Sequence, residues 1–77
     1  MPDRRYVRSE VNVVLNGLVA SGVIAAFGTT FDPAEQDGAV NVTITPGRSV
    51  DAHVALHSVR NALEAFKDRL IITVDAS

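Results

Sequence analysis

Cysteine and tryptophan are both absent from this chain of 77 residues. Without cysteine the chain can form no disulfide and can offer no thiolate to a metal ion. Small secreted domains commonly depend on such cross-links, so the composition favours a cytoplasmic protein that is held together by hydrophobic packing. The sequence suggests no cofactor.

A strong excess of one charge is also missing, since nine acidic and seven basic residues leave a net charge of −2. This balance gives no general attraction to nucleic acid or to an anionic membrane. The length allows one hydrophobic core, so we expect a single domain over residues 1–77 with no deep cleft between lobes.

Charged residues are lacking altogether between positions 11 and 31, a length that could span a membrane. Asn12, Asn16 and three glycines interrupt this stretch, however, and its apolar residues change period halfway along. We therefore expect a helix followed by a strand, and no membrane partner.

The first half of the chain predicts a helix and two strands. Helical spacing relates Val7, Val11, Val14, Leu15, Leu18 and Val19, which indicates a helix over about 4–21 that stops at Gly22. Residues 23–31 then alternate with a period of two, with small apolar residues on their second face, and predict a central strand. After an acidic turn, residues 39–45 predict a strand with one solvent-exposed face.

The second half predicts a helix over about 49–68, capped by Ser49, and a strand over 70–75. Apolar residues step by four and three along this helix, at Ala52, Leu56, Val59, Leu63 and Phe66. Residues 49–57 also alternate, which leaves a strand as the rival interpretation for that stretch.

These elements predict an α+β fold of order α-β-β-α-β, a small two-layer sandwich. We expect a three-stranded, mainly antiparallel sheet in the order 2-1-3, with both helices on one face. The other face and the outer strand edges would then be open.

His53 and His57 are spaced as two metal ligands on one helix would be. Two ligands do not make a metal site, and Asp51 and Arg60 do not complete one. No Gly-x-Ser-x-Gly motif or similar frame places a nucleophile beside a base. The sequence therefore predicts neither a metal site nor an enzyme.

Gly47, Arg48 and Ser49 precede the second helix, where free amides favour an anion. Arg4, Arg5 and Arg8 add a basic cluster at the start of the chain. Binding of nucleic acid through this turn and the basic start is therefore the alternative function, beside simple capping of the helix.

A second apolar line on the first helix consists of Tyr6, Val13, Gly17 and Ala20, away from its core stripe. Ile24 and Ala26 are expected on the uncovered sheet face. These residues predict contact with another chain, unless a loop or the chain ends cover them.

Two segments resemble a known unit, Gly22-Val23-Ile24-Ala25-Ala26-Phe27 and the run from Gly38 to Pro46. With the preceding helix they are similar to the helix and hairpin of contractile phage tail sheath proteins, over about half of the chain. The resemblance implies a phage-type structural component that assembles by strand exchange or helix packing, without catalytic residues, and a phage or mobile-element origin is part of the hypothesis below. The element order also resembles the second type of KH fold, although its Gly-x-x-Gly loop is missing.

The leading hypothesis is thus a non-enzymatic protein-interaction or assembly module. It would bind its own kind or a larger partner through the first helix and the strand edges.

Overall fold

The first helix, α1 (Arg4–Ala20), covers the sheet with one apolar stripe. The computed structural model describes the backbone of residues 4–77 and the side chains from residue 7 onward, and it buries Val7, Val11 and Leu15. Gly22 ends the helix with a φ of 81°, while Val23 N donates to Leu18 O over 3.0 Å. This is a Schellman-type stop, so the predicted helix and its glycine end are confirmed.

The three strands are β1 (Ile24–Phe31), β2 (Ala39–Pro46) and β3 (Ile71–Ala76). Their bounds agree with the predicted segments to within one residue. The α+β class and the element order are confirmed, and the sheet is mixed, with β1 and β2 antiparallel and β2 and β3 parallel.

The predicted strand order 2-1-3 is wrong, because the order is β1-β2-β3. β3 runs in the predicted direction, opposite to β1, but it pairs with β2. The reason is that α1 already packs over β1, so the helix after β2 packs beside α1 and delivers β3 next to β2. Strand β2 is therefore central, and β1 is an edge.

A β-bulge in β1 overturns the predicted faces of its first residues. Ile24 pairs with Pro46 and Ala26 pairs with Thr45, so Ala25 has no partner of its own. The extra residue shifts the alternation, as bulges do. Ile24, predicted on the open face as an interaction residue, is buried with 1% exposure, whereas both alanines are exposed.

The second helix, α2 (Ala52–Ala62), is shorter than the predicted 49–68 and is followed by a 3₁₀ turn, Glu64–Phe66. Its cap is Asp51, whose carboxylate accepts from His53 N over 2.8 Å, and not Ser49. Ser49 falls within a turn closed by Val50 N donating to Gly47 O. The choice of helix over strand for residues 49–57 is confirmed from Ala52 onward.

The core lies between the helices and one face of the sheet. Among the side chains from residue 7 onward, thirteen form it: Val7, Val11, Leu15, Ile24, Val40, Val42, Ile44, Ala55, Val59, Leu63, Phe66, Leu70 and Val74. Ala55 takes the buried place on α2 that the spacing assigned to Ala52, which is exposed. Along the described residues, no helix is long and apolar enough to cross a membrane.

Candidate interaction site at the edge of β3

Within residues 4–77, strand β3 ends the sheet on one side and has a neighbouring strand, β2, on the other side only. Ile71 N donates to Gly38 O over 2.9 Å, and Ser77 N donates to Ile44 O over 2.8 Å. In a parallel ladder every second residue turns both its N–H and its C=O toward the neighbour. The odd-numbered residues of β3 therefore face β2, and Ile72 and Val74 direct their backbone groups outward.

An open groove of about 310 Å³ runs along this edge, on the side of the sheet that carries α2. Its apolar floor comes from Leu63, Leu70, Ile72 and Val74. Ile72 is half-buried, while the other three belong to the core. The outward backbone groups of β3 thus lie beside an apolar hollow, which is the arrangement that an added strand requires.

Charged side chains border the groove. Arg60 Nη2 lies 3.5 Å from Val74 O, at the limit of a hydrogen bond, so its guanidinium covers one outward carbonyl. Lys67 Nζ pairs with Glu64 Oε1 over 3.1 Å. All three side chains are exposed and can move without disturbing the core.

The opposite edge, β1, also turns backbone groups outward. Asp32 N donates to Ala39 O over 2.9 Å, so by the alternation of an antiparallel ladder Phe27, Thr29 and Phe31 direct their backbone groups outward. Helix α1 lies over β1, and α2 lies over β3 and β2. Each edge strand therefore lies under a helix, and the groove described above borders β3.

The second face predicted for α1 is exposed where the structure describes it. Val13 has 68% of its surface exposed, and Gly17 and Ala20 are also exposed. The side chain of Tyr6 lies outside the described residues. Val13 also borders a shallow apolar hollow with Val14 and Phe66, so this face is not flat. The interaction role of these residues stays a prediction.

Gly47 has a structural role in the turn that was predicted to contact an anion. A Cβ on Gly47 would lie 1.9 Å from Gly22 O, and Gly47 N donates to Val23 O over 2.9 Å. Arg48 and Ser49 are exposed. The Asp51 carboxylate occupies the start of α2 and satisfies an amide that an anion would otherwise use. Nucleic-acid binding through this turn stays a prediction, and the geometry adds nothing in its favour.

His53 and His57 are exposed on α2, and His57 Nε2 lies 3.1 Å from Asn61 Nδ2. Among the described residues, no three His, Cys, Asp or Glu side chains are grouped so that they could hold a metal ion.

Sequence reasoning missed the β3 groove, because it placed β3 on the far side of β1. The available signal was the uncharged run Leu70–Val74 beside a helix whose apolar stripe extends to Phe66.

Comparison with protein-family models, with curated proteins and with solved structures gave no match.

Proposed function

We propose that this domain is a non-enzymatic protein-interaction module that adds an extended segment of a partner to the edge of β3. The observation that carries the proposal is the outward direction of the backbone groups of Ile72 and Val74 beside the groove, with the exposed Arg60 side chain over the Val74 carbonyl. Strand addition obtains affinity from backbone hydrogen bonds and specificity from pockets for alternate side chains. Both are available at this edge.

The groove supports the proposal because it is apolar at its floor and charged only at its rim. A bound strand would place every second side chain over Leu63 and Leu70, while its backbone pairs with β3. Ile71, 68% exposed on the opposite face of the strand, would gain a neighbour on the added strand. A phage or mobile-element origin is part of this proposal, and the sheath resemblance is what suggests a phage-type component.

The test is a selection of random extended peptides on the wild-type domain, with binding sites mapped from amide chemical shifts. We expect selected peptides to shift the amide signals of Ile72 and Val74. We also expect them to lose affinity for Ile72→Pro, because that substitution removes an outward N–H that β2 does not use.

Thr73→Ala is the matched control, since its side chain lies on the opposite face and its backbone pairs with β2. Peptides should bind this variant as they bind the wild type. Selected peptides that all map to α1 or to the 47–49 turn would contradict the proposal.

A further inference from the structure

We infer that the Arg60 side chain is an autoinhibitory cover on the β3 edge, which an incoming strand has to displace before it can pair fully. This inference rests on the proposed function and identifies what regulates access to the same site. The observation behind it is the 3.5 Å contact between Arg60 Nη2 and Val74 O. The guanidinium thus occupies a backbone group that strand addition uses.

The Val74 carbonyl matters because of its place in the ladder. Ile71 N donates to Gly38 O and β3 runs parallel to β2, so Ile72 and Val74 each turn an N–H and a C=O outward. An added strand would donate to the Val74 carbonyl in place of the guanidinium. The Arg60 side chain also borders the groove, so it takes space that the side chains of an added strand would fill.

The strand itself supplies no charge beside the groove, because residues 70–74 are all uncharged. Charged side chains over a strand edge are a common protection against unwanted pairing. Here that protection comes from α2, whose last turn carries Arg60, at the end of a helix where its dipole favours a cation. The cover is therefore built on a helix and reaches across to the strand.

The cover is suited to reversible opening because it is held weakly. The Arg60 side chain is exposed, and 3.5 Å is at the long limit of a hydrogen bond. Glu64 borders the same groove, and its carboxylate, which accepts from Lys67 Nζ, can accept from a second donor. A displaced guanidinium therefore has a partner on the same rim.

Peptide affinity tests the inference. The probes are extended peptides selected on the wild-type domain that contain no acidic residue, so that no peptide carboxylate attracts the guanidinium. We expect Arg60→Met to bind them about fivefold more tightly than the wild type, which corresponds to about 1 kcal/mol for one displaced hydrogen bond. Methionine keeps an apolar stem and removes the charge and the donors. Equal or weaker binding by Arg60→Met would overturn the inference.

Arg48→Met is the matched control, because it removes the same charge by the same substitution. Arg48 is exposed in the turn before α2 and lies outside the groove. We expect this variant to bind the peptides as the wild type does. An equal gain in both variants would show a general effect of net charge and would also overturn the inference.

The free protein gives a second measurement. The NMR signal of a backbone carbonyl carbon depends on its hydrogen bonding, so the Val74 signal should shift in Arg60→Met and stay unchanged in Arg48→Met. An unchanged Val74 signal in Arg60→Met would overturn the inference and leave the proposed function intact. Peptides that map to β3 but bind the wild type and Arg60→Met equally would likewise reject the cover alone, whereas peptides that map elsewhere would reject the proposed function and the inference together.

Discussion

Replacing Gly47 by alanine should destabilise the domain more than the same change at Gly17, Gly22 or Gly28. The new Cβ would lie 1.9 Å from Gly22 O and 3.0 Å from Gly22 C, and both are backbone atoms that no rotamer change can move. The loop after α1 and the end of β2 must therefore separate by about 1.5 Å or more to reach the 3.4 Å at which ordinary contact begins.

The magnitude follows from two terms. Overpacking against backbone costs about 1–3 kcal/mol, and a broken Gly47 N to Val23 O bond leaves a buried donor unpaired at about 1–3 kcal/mol. We expect a loss of about 4 kcal/mol in the free energy of unfolding, out of the roughly 5–15 kcal/mol typical of a domain. Gly47 does not have a positive φ, so available space alone accounts for this loss.

Urea unfolding followed by circular dichroism measures the effect, with Gly17→Ala as the control. Gly17 lies within α1 with nothing within 4 Å of an added Cβ, so alanine there should stabilise the helix by about 1 kcal/mol. A Gly47→Ala variant within about 0.5 kcal/mol of the wild type would refute the steric reasoning, because surface changes without a structural role fall in that range.

Three further predictions test other parts of the structure. In urea unfolding, Thr73→Pro should lower the free energy of unfolding by about 1–3 kcal/mol more than Ile72→Pro does, because only the Thr73 N–H donates to β2. Equal losses would contradict the assignment of the odd-numbered residues of β3 to the β2 side. Val13→Asp should leave both the free energy of unfolding and the solution mass unchanged, as measured by urea unfolding and light scattering. A lower solution mass in this variant than in the wild type would place an interface on α1. Labelled RNA or DNA should show no mobility shift with the wild type even at low salt, whereas a salt-dependent shift that Arg48→Ala weakens would favour the nucleic-acid alternative.

Local patterns were sufficient to predict the elements of this fold. The apolar residues of α1 recur at helical spacing and those of β2 alternate, so each element has one apolar face that packs against the neighbouring layer. Gly22 ends α1 in a backbone conformation that glycine adopts easily. Each of these signals depends on residues close in sequence, so each could be read without knowing the tertiary contacts.

The errors concern features that tertiary contacts decide. Asp51 and Ser49 are both good capping residues, and the turn closed at Val50 determines which of them reaches the helix. The bulge at Ala25 breaks an alternation that appears regular in the sequence, and it reverses the side of Ile24. The place of β3 depends on which strand α1 already covers, and no local pattern records that.

The helix layer also bears on how far any assembly could grow by strand pairing. A sheet with two equally accessible edges can extend without limit, and open edges of this kind lead to fibres. Here each outer strand lies under a helix, β1 under α1 and β3 under α2. A whole second domain at either edge would need room for its own helix layer, which a short extended segment does not carry, so the two helices would protect the chain against unlimited polymerisation.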